Sequence, residues 1–153
     1  MKYLLMFLSL FGCTSCGSFD GINRKPDGAF RYYEFNLSNM RMMHERYYRL
    51  DCLEDGTVTL SWARNGSDTT SMTVSKEVPE QVNALMLKHK LYKLKRQYRP
   101  PFKVLDGKMW YVFIGYDSGN INSGGANAWP PEALRSGIGA INDYLDSLLP
   151  ARE

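Results

Sequence analysis

The stretch YYRLDCLEDGTVTLSWARN, residues 47–65, decides the fold prediction because it contains a complete β-hairpin. Asp55-Gly56 provides the turn, since this pair tolerates the positive φ angles of a tight hairpin. Apolar and polar residues alternate on both arms, so one face of the hairpin is expected to point into a core. The inward-facing residues are Tyr48, Leu50 and Cys52 on the first arm and Val58, Leu60 and Trp62 on the second.

The elements that follow this hairpin complete a first candidate repeat. SMTV, residues 71–74, predicts a third short strand. VPEQVNALMLKH, residues 78–89, begins with Pro79 and Glu80, which favour the first turn of a helix. Its apolar stripe comprises Val82, Leu85, Met86 and His89. The predicted order is therefore three strands and a helix, or βββα.

The second half of the chain repeats this order. FKVLDGKMWYVFIGY, residues 102–116, predicts another hairpin, which turns at Asp106-Gly107. A short strand and then a helix follow, and the helix starts at Pro131 within residues 130–150.

A further strand, FRYYEFNLS at residues 30–38, precedes both units. We therefore predict an α+β fold with a largely antiparallel sheet, two helices on one face and two βββα units. The 153 residues, 44% of them hydrophobic, suit one domain with a core. The net charge of +3 does not by itself indicate a nucleic-acid partner.

The first residues have the layout of a secretory leader. Met1-Lys2 supplies a positive start, and residues 3–12 form an uncharged apolar stretch. This stretch is too short to cross a bilayer as a helix, which takes about 20 residues. Small residues and two cysteines, Cys13 and Cys16, follow it.

This order of apolar stretch, small residues and cysteine resembles that of bacterial lipoprotein precursors, in particular those of the Bacteroidetes. The resemblance, which covers about the first twenty residues, implies cleavage immediately before a cysteine that has received diacylglycerol. Cys16 follows Thr14 and Ser15, whereas Cys13 has the bulky Phe11 two positions before it. We predict lipidation of Cys16, with Cys13 as the alternative.

The resemblance implies a lipid-anchored protein of the bacterial cell envelope, at the outer membrane and facing the periplasm, with the membrane as a partner. The predicted organisation is a signal peptide at 1–15, a flexible tether at 16–28 and one α+β domain at 29–153. If Cys13 carries the lipid, Cys16 is free to form a disulfide with Cys52, and otherwise Cys52 is a lone core thiol.

The segment KHKLYKLKRQYRPPFK, residues 88–103, concentrates seven Lys and Arg residues and no acid. Lys93, Arg96 and Arg99 are candidate binding residues, with aromatic rings interleaved among them. Export removes nucleic acid as the expected partner, so anionic lipid or an acidic glycan is the candidate ligand.

The Gly- and Asn-rich segment YDSGNINSGGANAWPP, residues 116–131, is a second candidate binding site. Asn127 and Trp129 would suit hydrogen bonding to a sugar and stacking on it. Thr69, in the sequence DTT, matches a short O-glycan acceptor pattern.

Residues for catalysis are sparse. Neither His44 nor His89 has a second ligand at metal spacing, and no nucleophile or nucleotide motif is present. The sequence therefore favours a non-enzymatic binding or scaffolding module without cofactor or metal. The alternatives are a carbohydrate-active or hydrolase accessory protein that uses the Asn/Trp loop, and an inhibitor-like module that binds a protein partner.

Overall fold

A computed structural model describes residues 21, 23–39, 41, 43–102 and 107–151 of the chain. These residues contain seven strands and two helices. The elements in chain order are β1 (Phe30–Ser38), β2 (His44–Cys52), β3 (Val58–Arg64), β4 (Thr70–Val74), α1 (Val78–Lys88), β5 (Gln97–Tyr98), β6 (Met109–Tyr116), β7 (Gly119–Ala126) and α2 (Glu132–Ser147). One 3₁₀ turn, Leu91–Lys93, leads from α1 towards β5.

All seven strands belong to one open sheet, in the order β4-β3-β2-β1-β6-β7-β5. Neighbouring strands are antiparallel from β4 to β7, and β5 pairs with β7 in parallel. The first strand of the chain therefore lies at the centre, where it joins the hairpins of the two halves.

The predicted fold class, a largely antiparallel sheet built from two βββα units, is wrong. The structure has one mixed sheet of seven strands with two helices, an α+β-like arrangement. The second predicted hairpin fails because β6 pairs with β1 on one side and β7 on the other. A strand has only two edges, so β6 has none left for the predicted first arm of this hairpin. Residues 103–106, which belong to that arm and its turn, lie outside the described residues.

The first hairpin is confirmed, with β2 and β3 paired from Cys52↔Val58 to Arg46↔Arg64. Gly56 has a φ of 80°, as the Asp-Gly turn requires. The strand predicted at residues 30–38 is β1, and SMTV lies within β4.

The core lies between one face of the sheet and the two helices. Tyr33, Leu50 and Ile114 are fully buried and adjacent across three strands. Helix α1 contributes Val82 and Met86 to this core, and helix α2 contributes Ile138, Ile141 and Leu145. We call this side of the sheet the covered face.

Candidate functional site

The other side of the sheet, which we call the open face, carries aromatic and charged side chains in a regular grid. Strand register sets Asp51, Tyr32 and Gly115 in one row across β2, β1 and β6. The next row contains Arg49, Glu34 and Phe113, and the third contains Tyr47, Asn36 and Tyr111. Because both helices pack on the covered face, most of these side chains remain partly exposed.

Ion pairs connect the middle of the open face. The Arg49 guanidinium donates to Glu34 Oε2 at 2.7 Å and to both carboxylate oxygens of Asp51 at 2.7 and 2.9 Å. Tyr111 Oη donates to the other Glu34 oxygen at 2.9 Å. The hydrogen bond with Asp51 is the largest factor that raises the pKa of Arg49. The group is thus held as a fixed array of complementary charges.

Two tyrosines of the open face stay neutral at physiological pH. Burial, and then the neighbouring Glu34 carboxylate, raises the pKa of both Tyr47 and Tyr111 above the ordinary value. Both hydroxyls therefore keep their protons, and Tyr111 donates its proton to Glu34.

A glycine creates room for one of the rings. A β-carbon on Gly115 would lie 2.1 Å from Cε1 of Tyr32, so the ring occupies the space that a side chain would fill. Phe113 packs edge-on against Tyr111 with 5.5 Å between centroids and is 36% exposed.

His44 lies at one end of the open face, beside a cavity of about 460 Å³ that Asn36, Gln97, Met109 and Tyr111 also line. Its Nδ1 is 2.6 Å from Asn36 Oδ1, and its ring is 5.1 Å from that of Tyr47. His89 is half-buried at the C-terminus of α1, where a β-carbon on Gly137 of α2 would meet it. The two histidines are therefore in separate places.

The predicted sugar-binding residues make contacts within the protein. Lys108 N–H donates to Asn127 Oδ1 at 3.0 Å, and Asn127 N–H donates to Lys108 O at 2.9 Å. The Trp129 ring stacks on that of Trp110 with 5.4 Å between centroids, and the Arg135 guanidinium lies over it at 5.4 Å. Trp129 is still 38% exposed, so sugar binding by this loop stays a prediction.

The predicted basic residues lie along the β5 edge of the sheet. Helix α1 ends at Lys88, and Lys90 adopts a left-handed conformation with a φ of 55°. Lys93, Arg96 and Arg99 are all exposed, and Arg99 donates to Gln97 Oε1 at 2.7 Å. Their role in binding lipid or glycan stays a prediction.

Thr69 is exposed in the loop between β3 and β4, and its glycosylation stays a prediction. Cys52 is partly buried at the end of β2, and burial raises the pKa of its thiol. Cys13, Cys16 and any bond between Cys16 and Cys52 lie outside the described residues.

A second charged cluster, which the sequence analysis did not predict, joins the covered face to α2. Asp146 accepts hydrogen bonds from Tyr48, Arg46 and Arg64, with 2.6 Å between Arg46 Nη2 and Asp146 Oδ2. Burial raises the pKa of Asp146, but these three hydrogen bonds together bring it below the ordinary value. Arg46 and Arg64 face each other across β2 and β3, which is visible only once the register is known.

Comparison with known proteins does not assign the chain to a family. No protein-family model matches the sequence, and no curated protein sequence matches it either. No helix among the described residues is long and apolar enough to cross a bilayer. Within the same residues, no group of three or more His, Cys, Asp or Glu side chains could hold a metal ion.

Proposed function

We propose that this chain is a lipid-anchored, non-enzymatic binding module of the bacterial cell envelope, at the outer membrane facing the periplasm. Its anchor is the acylated Cys16, and its binding surface is the open face. The observation that carries the proposal is the group of aromatic side chains, at least partly exposed, that surrounds the Arg49 ion pairs.

The composition of the open face favours a protein partner. Tyrosine, phenylalanine and arginine are enriched where proteins bind one another, and lysine, glutamate and aspartate are depleted there. The grid of the open face contains Tyr32, Tyr47, Tyr111, Phe113 and Arg49 and no lysine. Its two acidic residues, Glu34 and Asp51, are both paired with Arg49. Small-molecule sites are usually concave. The part of the open face around Arg49 and Phe113 lies on one side of an open sheet, outside the cavity beside His44.

The charges of the open face are also arranged for association. Arg49 already has its carboxylate partners, so a partner protein would not have to desolvate an isolated charge. The fixed side chains lose little conformational entropy on binding, which favours affinity.

Photo-crosslinking in cells tests the proposed surface. Phe113 and Leu87 are replaced one at a time by the photoreactive amino acid benzoylphenylalanine. Leu87 on α1 is the matched control, since it is 39% exposed and Phe113 on the open face is 36% exposed.

A discrete crosslinked protein from position 113 that is absent from position 87 would support the proposal. No crosslink from position 113, or the same products from both positions, would contradict it. Mass spectrometry of the mature N-terminal peptide tests the anchor separately, because an unmodified N-terminus would exclude a lipoprotein.

A further inference from the structure

A continuous group of exposed cations follows the β5 side of the sheet. The segment that leads into β5 runs beside β7, since Ser123 Oγ donates to Lys95 O at 2.7 Å and Gly124 N–H donates to Arg96 O at 3.2 Å. Arg96 also lines a cavity of about 590 Å³ together with Arg24 and Lys25. We call this group the basic edge: Arg24, Lys25, Lys93, Lys95, Arg96 and Arg99.

The six cations of the basic edge form no ion pair with any described residue, although Asp27 lies on the wall of the same cavity. In contrast, Arg46, Arg49 and Arg64 all have carboxylate partners. The basic edge is therefore suited to an anionic partner outside the protein.

The N-terminal segment joins the domain at this same edge. Arg96 N–H donates to Gly21 O at 3.3 Å. The buried Asn23 side chain donates to Leu94 O at 2.8 Å and to Asn122 O at 2.9 Å. Gly21 is thus tied to the basic edge rather than to the β4 side of the sheet.

Chain length then limits how far the basic edge can be from an anchor. Gly21 is five positions after Cys16, and five residues span at most about 18 Å even when fully extended. An acyl chain on Cys16 would therefore keep the basic edge close to the lipid headgroups. Phe102, which is 71% exposed three residues after Arg99, is an apolar side chain of the kind that interfacial segments bury at the headgroup boundary.

We propose that the basic edge docks on anionic lipid headgroups of the membrane that holds the anchor, so that the sheet meets this membrane edge-on. The inference rests on the proposed acylation of Cys16. Each cation near an anionic surface adds an attraction of about fivefold in affinity. In this orientation β4 points away from the membrane, and the open face remains accessible to a partner.

Hydrogen exchange of the mature lipoprotein in vesicles tests this docking. The protein, shown by mass spectrometry to carry its acyl chains, is incorporated into phosphatidylcholine vesicles with or without phosphatidylglycerol. We expect exchange in residues 21–29 and 88–102 to slow at least fivefold in the anionic vesicles, while residues 70–77 at the β4 edge exchange equally in both.

Charge variants decide whether the basic edge causes the protection. The double variant Lys25→Gln/Arg96→Gln is expected to lose most of it. The control variant Arg41→Gln/Lys76→Gln removes two exposed cations that form no ion pair with any described residue, and is expected to retain it.

Equal exchange in both kinds of vesicle, from protein that does carry its acyl chains, would overturn the docking and leave the proposed function intact. Protection of these segments by inorganic phosphate in vesicles without anionic lipid would also overturn it, since a soluble anion would then be the ligand. An unacylated N-terminus would remove both proposals.

Discussion

The two faces of the sheet differ most clearly at two consecutive residues of β2. Leu50 points to the covered face and is fully buried, whereas the Arg49 side chain on the open face is 39% exposed. Burial of the Leu50 side chain away from water stabilises the fold. The charge of Arg49 is instead neutralised by Glu34 and Asp51, whose side chains are themselves partly exposed. The comparison indicates that the covered face holds the fold together, and the open face is the surface that we propose for binding.

The largest loss of stability is expected from a truncation on the covered face. Leu50→Ala removes a fully buried side chain and leaves a cavity among Tyr33, Leu60 and the helices. The free energy of unfolding should fall by about 2 to 5 kcal/mol. Urea denaturation measures this change, and a loss below about 1 kcal/mol would mean that the covered face is not the main core.

A smaller loss is expected where α2 is attached to the sheet. Asp146→Asn leaves Arg46 and Arg64 without their shared carboxylate. Because the cluster is partly exposed, we expect a cost of about 1 to 3 kcal/mol at neutral pH. The same denaturation experiment measures it. Asp143→Asn is the comparison, since Asp143 also pairs with Arg46, at 3.0 Å, but its side chain is 75% exposed and should contribute less.

The contribution of Asp146 should depend on pH. Its pKa is lower in the folded protein than the ordinary value of about 3.9, so the folded state binds fewer protons than the unfolded state in this range. The stabilisation is complete above about pH 5 and is lost as the pH falls through the pKa of the folded protein. The stability difference between wild type and Asp146→Asn should therefore be full at neutral pH and shrink in acid. A constant difference would contradict this assignment.

A substitution at Gly115 tests whether this glycine makes room for the Tyr32 ring on the open face. Gly115→Ala would displace the Tyr32 ring and should cost about 1 to 2 kcal/mol. In a Tyr32→Ala background the same substitution should cost little, because the ring is absent. A double-mutant cycle measures this coupling, and additive losses would show that the two residues are independent.

The smallest effect on stability is expected at the centre of the open face. Phe113→Ala removes a side chain that is already 36% exposed and should cost about 1 kcal/mol or less. Thermal unfolding measures this cost. A loss as large as that of Leu50→Ala would remove the distinction between the two faces.

Local patterns in the sequence predicted the elements better than their pairing. The Asp55-Gly56 turn and the alternating arms of its hairpin are local features, and the structure has both. The Asp106-Gly107 signal fails because the pairing of β6 is decided by β1, which lies far away in the sequence. Turn residues allow a reversal of the chain, but burial across the whole sheet determines which strands become neighbours.

The candidate site was less predictable for the same reason. Arg49, Glu34 and Tyr111 occur on three strands, so no short motif contains them. The link from Arg46 to Asp146 spans 100 positions. The basic segment was visible because its cations are clustered in the sequence. Its closeness to Gly21 is visible only in the structure, through the hydrogen bond from Arg96 N–H to Gly21 O.

Oxidative footprinting tests the central claim, that the open face binds a partner in the envelope, most directly. Hydroxyl radicals are applied to the protein in native membranes and to the purified protein in detergent. The oxidation of Tyr32 and Phe113 is compared with that of Leu87 on α1. We predict that Tyr32 and Phe113 are oxidised in the purified protein and protected in membranes, while Leu87 reacts equally in both. Equal oxidation of Tyr32 and Phe113 in the two samples would contradict the account.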